Sequence, residues 1–132
     1  MKKELCKIAI KAMNNSYSPY SKFSVGAALL CADGKIYTGC NIENSSYSAT
    51  VCAERTALFN AVSDGARKFE MIAIAASENG AIKAASPCGV CRQVMAEFCG
   101  SDFRILIVTD GENFEEYTLG ELLPKAFNLK EE

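Results

Sequence analysis

The sequence predicts an α/β fold in which helices cover both faces of one mixed β-sheet. Helical stretches alternate along the chain with short strands, which is typical of a layered α/β domain. Residues 71–75 and 105–108 are continuous apolar runs, as expected of strands that are buried on both faces. Asp33-Gly34 separates two further strands and indicates an antiparallel hairpin. We therefore expect a three-layer α/β/α sandwich around a mixed five-stranded sheet.

Residues that begin and end helices place the helices between these strands. Apolar residues recur at helical spacing in residues 4–14, and Ser48 or Thr50 could cap a second helix that Asp64-Gly65 closes. Ser86-Pro87 predicts another helix start, with the serine as the N-cap. The predicted order is a helix at 4–14, strands at 25–31 and 35–41, a loop at 41–50, a helix at 52–63, a strand at 70–76, a loop at 77–85, a helix at 86–100, strands at 104–109 and 114–117, and a short helix at 118–124 that begins with the capping box Thr118-x-x-Glu121.

Length and charge limit the possible functions. A chain of 132 residues, about half of them hydrophobic, fits a single domain at residues 1–132. The net charge is −2 and the two signs are mixed, whereas proteins that bind DNA or long RNA usually carry a clustered basic face. No apolar run approaches the roughly 18 residues of a membrane span, and the first residues lack the apolar stretch of a signal peptide. We expect a cytoplasmic protein without nucleic-acid or membrane partners, and a solvated acidic end at residues 130–132.

Three cysteines have the spacing of a metal site. Cys88 and Cys91 lie close together at a predicted helix start, where a separation of three positions puts both thiols on one face. Cys52 stands at another predicted helix start. If both helix N-termini face one spot, three thiolates converge there. Three protein ligands are typical of a catalytic zinc, whose fourth position stays open for water, whereas structural zinc usually has four.

Glu54 and Arg55 supply the other groups that such a site needs. The chain has no histidine, so acid–base chemistry near neutral pH must fall to a carboxylate or a thiolate. In the first turn of a helix, Glu54 can reach the same spot as Cys52 and move a proton between water and a substrate. Three thiolates on Zn²⁺ leave a net negative charge, and Arg55 is the candidate donor of hydrogen bonds to them. The alternative for Arg55 is an ordinary surface charge.

Each motif also has a purely structural interpretation. A Cys-x-x-Cys pair occurs in redox sites too, and single cysteines are common in protein cores. Phe23 and Phe127 could be core or interface aromatics, and Glu43 could be a solvated loop charge. The joint pattern of Cys-x-Glu and Pro-Cys-x-x-Cys, both at helix starts, nevertheless favours zinc catalysis. We assign the remaining cysteines to structural positions: Cys6, Cys31, Cys40 and Cys99.

Five segments of the chain together carry a family resemblance: YSKFSVGAA at residues 20–28, GCNIEN at 39–44, CAERTA at 52–57, PCGVCRQ at 87–93 and ELLP at 121–124. With these segments the chain resembles the small cytidine deaminases over nearly its whole length. Cys52 stands where other deaminase branches carry histidine, which is similar to the tetrameric, all-cysteine branch. Ala49-Thr50-Val51, just before it, matches no pattern that we can interpret.

The resemblance implies a cofactor and a reaction. The cofactor would be Zn²⁺, held by Cys52, Cys88 and Cys91. The reaction would be hydrolytic deamination of cytidine and 2′-deoxycytidine to uridine and 2′-deoxyuridine, as in pyrimidine salvage. Water activated by zinc would attack C4 of the ring, and Glu54 would protonate N3 and then the leaving amine, which departs as ammonia.

The resemblance also implies the substrate contacts. Asn41 and Glu43 would bind the ribose 3′-hydroxyl, which suits an amide and a carboxylate, and Phe23 would pack against the base. The backbone amide of Ala53 and the carbonyl of Ser86 would read the edge of the pyrimidine.

A further implication of the resemblance concerns the assembly. In this family each site is completed by neighbouring subunits, which implies a homotetramer. Tyr47 and Phe127 would be the residues that reach a neighbour's site.

Three other functions share features of this sequence. A deaminase of a modified nucleoside, of the blasticidin S type, shares the zinc motifs, although Asn41-Ile42-Glu43-Asn44 favours plain ribose. A deaminase that edits polynucleotides is disfavoured by the acidic balance and because Glu43 would repel a phosphate. A non-catalytic, zinc-stabilised binding module would need a fourth protein ligand.

Overall fold

The computed structural model describes residues 1–130, so the expectation for Glu131 and Glu132 lies outside the described residues. The longest helices contain 11 residues, and none within the described range has both the length and the apolar character needed to cross a membrane. The elements are α1 (Lys2–Ala12), β1 (Phe23–Cys31), β2 (Ile36–Cys40), α2 (Ala53–Ser63), β3 (Phe69–Glu78), β4 (Ala81–Lys83), α3 (Gly89–Phe98), β5 (Arg104–Val108), β6 (Phe114–Thr118) and α4 (Leu119–Leu122), with single 3₁₀ turns at Met13–Asn15 and Tyr47–Ala49.

The sheet is mixed, as the sequence predicted. Its main strands follow the order β2-β1-β3-β5-β6. The pairing of β3 with β5 is parallel, and the other pairings are antiparallel. The helix α3 lies in the connection between the two parallel strands, as such crossovers require.

A sixth strand corrects the predicted count of five. The segment expected to be a loop at residues 77–85 instead extends β3 to Glu78 and returns as β4. Asn79 and Gly80 join the two strands with φ angles of 53° and 82°. Both angles are positive, as a tight hairpin turn of the type I′ class requires, and Asn-Gly is the dipeptide that adopts such a turn most readily. This signal was present in the sequence and was overlooked.

The core confirms the three-layer architecture. On one face of the sheet, Leu5 and Ala9 of α1 are buried against Leu30 of β1. On the other face, the buried cluster joins β1, β3 and β5 to α2, α3 and α4, with Leu58 and Met95 among its largest members. The sheet therefore separates two apolar clusters, and only the second lies beneath the helices that carry the candidate zinc ligands.

The helix ends agree only in part with the prediction. Thr118 and Glu121 form the expected reciprocal capping box, and Asp64 with the positive-φ Gly65 closes α2 as predicted. The predicted N-caps were wrong, because cysteines occupy those positions: Cys52 caps α2, in place of Ser48 or Thr50, and Cys88 caps α3, in place of Ser86.

The close packing of α1 on β1 depends on the lack of a side chain at Gly26. A β-carbon built there would lie 2.6 Å from the amide nitrogen of Met13 and closer still to the carbonyl of Ala9. Both neighbours are backbone atoms, so they cannot move away without shifting the helix. We expect Gly26→Ala to lower the free energy of unfolding, measured by urea titration, by about 1–3 kcal/mol, which is the usual range for overpacking. Gly111→Ala is the matched control, since nothing lies within 4 Å of its added β-carbon, and equal stability of the two variants would contradict this account.

Candidate active site

Two helix N-termini bring the three predicted thiols together. Cys52 and Cys88 are the N-cap residues of α2 and α3, and Cys91 lies in the first turn of α3. The Sγ atoms of Cys52 and Cys88 are 3.7 Å apart, and those of Cys88 and Cys91 are 3.3 Å apart. Within the described residues, these three cysteines form the one cluster of histidine, cysteine and acidic side chains that is spaced to hold a metal ion.

The spacing of the thiols fits a tetrahedral zinc ion. With zinc–sulfur bonds of about 2.3 Å, two sulfurs in a tetrahedron lie about 3.8 Å apart. All three sulfurs lie within 4.8 Å of one another, so small side-chain rotations would bring them to that separation. Thiolates are also ligands that zinc prefers. Cys52, Cys88 and Cys91 could therefore hold the ion.

The electrostatic surroundings favour the thiolate form of Cys52. The amide of Cys91 donates to the Cys88 sulfur at 3.4 Å, and Nη2 of Arg55 donates to the Cys52 sulfur at 3.5 Å. A hydrogen bond with Cys91 and the one from Arg55 lower the pKa of Cys52 to about 5, against the opposing effect of burial. The same interaction with Cys52, together with burial, raises the pKa of Cys91. Arg55 therefore contacts the cluster through this hydrogen bond, and its support of the metal-bound thiolates stays a prediction.

Glu54 is a buried carboxyl group beside the thiols. It is the second residue of α2, and only 5% of its surface is exposed. Burial, reinforced by the nearby Cys52 thiolate, raises the pKa of Glu54 to about 7. A group with this pKa can both accept and release a proton near neutral pH, which is the property required of a proton shuttle.

A cavity of about 480 Å³ opens onto this cluster. Cys52, Glu54 and Cys88 are among the residues that line it. The volume is within the usual range for a small-molecule site. Four further predicted substrate-binding residues line the same cavity: Phe23, Asn41, Glu43 and Ser86. Ala53, fully buried as the first residue of α2, presents its backbone amide at the helix N-terminus.

Asn41 is tied to the protein by three hydrogen bonds. Its Oδ1 accepts from the hydroxyl of Ser16 at 2.5 Å and from the amide of Val25 at 2.9 Å. Its Nδ2 donates to the carbonyl of Phe23 at 2.8 Å. An amide nitrogen carries two hydrogens, so one N–H of Nδ2 is left over for a substrate. Asn41 therefore fixes the start of β1 as well as lining the cavity.

Glu43 organises the loop that leads into β1. Its Oε1 accepts from the amides of Tyr20 and Ser21 at 2.9 and 3.2 Å, and its Oε2 accepts from the Ser21 hydroxyl. The Ser21 hydroxyl and these amides lower the pKa of Glu43, although partial burial opposes them. The Ser21 hydroxyl also accepts from the amide of Phe23 at 3.1 Å. Glu43 thus stays ionised and helps to hold Phe23 in place.

Tyr47 and Phe127 do not reach the cavity of their own chain. Tyr47 is 90% exposed and lines an adjoining cavity of about 530 Å³ together with Tyr20 and Asn44. Phe127 is 65% exposed, and its carbonyl accepts from the side chain of Gln93 at 2.8 Å. A contribution of either residue to a neighbour's site stays a prediction.

Sequence reasoning missed several residues that shape the site. Ser21 joins Glu43 to Phe23, and Glu78 lines the cavity at the end of β3. Arg92 donates to the carbonyl of Pro87 at 2.8 Å and to that of Leu122 at 2.7 Å, which fixes the loop before Cys88 to α4. The Asn-Gly turn could have placed Glu78 on a hairpin. The hydrogen bonds from Ser21 to Glu43 and from Arg92 to Leu122 span 22 and 30 residues, so no local pattern in the sequence signals them.

The fold and the site together define an α/β protein in which three cysteine thiols are spaced to hold a zinc ion beside a cavity of the size of a small-molecule site. Residues 1–107 match the family model described as the cytidine and deoxycytidylate deaminase zinc-binding region. The chain belongs to this family.

Known relatives agree with this assignment. A cytidine deaminase from Sporosarcina psychrophila is 54% identical over 121 residues, which cover 92% of this chain and 87% of the relative. The crystal structure of cytidine deaminase from Burkholderia pseudomallei superposes with a TM-score of 0.86 at 41% identity, covering 94% of this chain and 97% of that one. A blasticidin-S deaminase from Bacillus cereus is more distant, at 32% identity over 94% of this chain and 90% of its own length.

Zinc binding should depend on each thiol of the cluster. We expect Cys88→Ser to lower zinc affinity by more than about 100-fold, beyond the usual effect of outer-shell changes, because a hydroxyl replaces a thiolate ligand. Cys40→Ser is the control, since its thiol lies outside the cluster and donates to the carbonyl of Asn15, a bond that serine can also make. The measurement is zinc per chain after dialysis against graded chelator, and full retention by Cys88→Ser would contradict the ligand assignment.

Proposed function

We propose that the protein is a zinc-dependent hydrolase that deaminates cytidine and 2′-deoxycytidine to uridine and 2′-deoxyuridine with release of ammonia. The observation that carries the proposal is the convergence of three thiols spaced for zinc with a buried carboxyl group at one end of a nucleoside-sized cavity. Membership of the deaminase family and the identity to cytidine deaminases support the reaction class.

The residues around the thiol cluster would have different roles in the reaction. Cys52, Cys88 and Cys91 would hold the metal, and Arg55 would offset the charge of the thiolates. Zinc, when bound, supplies the Lewis acidity that lets water ionise near neutral pH. Glu54 would take up the proton released there and deliver it first to N3 of the ring and then to the leaving amine, a task that its raised pKa favours.

The cavity walls would hold the nucleoside. The free amide of Ala53 at the helix N-terminus can donate to the pyrimidine edge, and the carbonyl of Ser86 can accept from the amine. Phe23 would stack on the base. Asn41 has one unused N–H, and Oε2 of Glu43 has spare acceptor capacity, so the pair can bind the 3′-hydroxyl from both sides.

The wider setting of the activity follows from the same resemblance. We propose one domain over residues 1–132, a homotetramer in which Tyr47 and Phe127 reach neighbouring sites, and a cytoplasmic role in pyrimidine salvage. The large exposure of both aromatic side chains supports a partner surface.

The competing functions are less well supported. A blasticidin S deaminase would share the metal site, but the greater identity to cytidine deaminases favours plain nucleosides. A zinc-stabilised binding module would require a fourth protein ligand, and no further metal-binding side chain joins the cluster within residues 1–130.

Ammonia release tests the proposal directly. The zinc-loaded protein should release ammonia from cytidine, with zinc counted in the same preparation. Glu54→Gln should retain zinc and lose at least about 100-fold in kcat, because the amide cannot carry the proton. Near-normal turnover by this variant would refute the proton-shuttle role. A wild-type protein that holds zinc but releases no ammonia would refute the deaminase assignment.

Glu43 tests the ribose assignment separately. Glu43→Ala removes the carboxylate but leaves the thiol cluster untouched, so zinc content should stay at the wild-type level. The KM for cytidine should rise by about tenfold, the expected effect of losing a hydrogen bond to a charged group. Glu43→Gln keeps an acceptor oxygen and should lie between wild type and Glu43→Ala. An unchanged KM in Glu43→Ala would count against the assignment.

A further inference from the structure

The β3–β4 hairpin places a carboxylate at the rim of the cavity. Glu78 is the last residue of β3 and pairs in register with Phe23, the first residue of β1. Residues directly opposite each other in antiparallel strands have their side chains on the same face, about 5 Å apart at the β-carbons. Glu78 therefore lies beside the ring predicted to stack on the base, and it lines the cavity.

The charges around the cavity are all of one sign. The ionisable side chains among the lining residues, apart from the thiols, are Glu43, Glu54 and Glu78, and no lysine or arginine lines the cavity in the part of the chain that the structure describes. Lys83 of β4 pairs with Glu78 at 2.8 Å but is not itself part of the lining. The carboxylate of this pair thus faces the cavity more closely than the ammonium does.

We propose that Glu78 is a specificity-determining residue that disfavours nucleoside 5′-phosphates, and that Lys83 sets how strongly it does so. The inference rests on the proposed nucleoside deamination. It concerns a choice that the family leaves open, because the family description covers both cytidine and its phosphorylated relative deoxycytidylate. A phosphate group carries a charge of about −1.5 to −2 at neutral pH, whereas a nucleoside carries none.

The charges of Glu78 and Lys83 can affect ligand binding, and each can be removed by mutation with little effect on the stability of the fold. The side chains of Lys83 and Glu78 are 59% and 43% exposed, so their pairing contributes little to stability and either can be replaced without unfolding the protein. Glu78 would repel a doubly charged group inside the cavity that it lines, and we expect this repulsion, partly screened by solvent, to change binding by about three- to tenfold. The effect should weaken at high salt.

Charge variants of the pair test the proposal. The quantity to measure is the kcat/KM for cytidine 5′-monophosphate divided by the kcat/KM for cytidine. Glu78→Gln should raise this ratio about three- to tenfold, and Lys83→Met should lower it by a similar factor. The ratio of the double variant should lie between the ratios of Glu78→Gln and the wild type. Both charges are removed in it, and the carboxylate, which faces the cavity more closely, has the larger effect. Raising the salt from 0.05 to 0.5 M should shrink the differences.

Inhibition constants extend the test where turnover of the phosphate is too slow to detect. The same ratio then comes from competitive inhibition of cytidine deamination by the monophosphate, with the charge reversal Glu78→Lys added to enlarge the effect. Glu116→Gln is the matched control, since Glu116 pairs with Lys2 at the same 2.8 Å distance but does not line the cavity. Its ratio should equal that of the wild type.

Two results would overturn the inference. One is a ratio that stays within twofold of the wild type in both Glu78→Lys and Lys83→Met. The other is a shift of Glu78→Gln and Lys83→Met in the same direction, which would indicate a structural effect in place of a charge effect. Failure of the wild type to deaminate cytidine would instead refute the proposed function itself, so the two failures are distinguishable.

Discussion

The site depends on the meeting of two helix N-termini. Zinc requires its sulfurs to lie close together, and this chain meets that requirement by starting α2 and α3 at cysteines that point to one place. The approach of α2 to the sheet is close because Gly39 has no side chain: a β-carbon there would lie 2.7 Å from the carbonyl of Ala53. On the other side, Arg92 ties the loop before Cys88 to α4. The free amides and the dipoles of both helices then favour thiolate at the point where they meet.

The same geometry gives Glu54 its chemical character. Glu54 lies in the first turn of α2, two residues after Cys52, and only 5% of its surface is exposed to solvent. Burial raises the pKa of this carboxyl group, and the neighbouring Cys52 thiolate raises it further. A protein without histidine thus acquires a group that titrates near neutral pH through its position and not through its residue type.

Features that depend on residue spacing and apolar periodicity could be predicted from the sequence, whereas features that depend on contacts between distant residues could not. The fold class and the element order followed from apolar patterns, and the convergence of Cys52, Cys88 and Cys91 followed from their places at helix starts. The strand β4 was missed because three residues carry too little periodicity, although its Asn-Gly turn was visible. The caps of α2 and α3 were assigned to serine or threonine because cysteine is not among the usual capping residues. The hydrogen bonds of Asn41 to Ser16 and Val25 have no counterpart in local pattern.

Asn41 and Glu43 show that recognition and folding share the same atoms in this cavity. Three hydrogen bonds hold the Asn41 amide to residues around the start of β1, and three more hold the Glu43 carboxylate to the loop that precedes it. A substrate hydroxyl placed between them would meet groups whose positions are already fixed, so little ordering is needed on binding. The Glu78 side chain differs from these two, because its ion pair is with the exposed Lys83 of the short β3–β4 hairpin. If Asn41 and Glu43 bind the ribose as proposed, they would do so with side chains that are already fixed, whereas the charge of Glu78 can be changed without altering those hydrogen bonds or the thiol cluster.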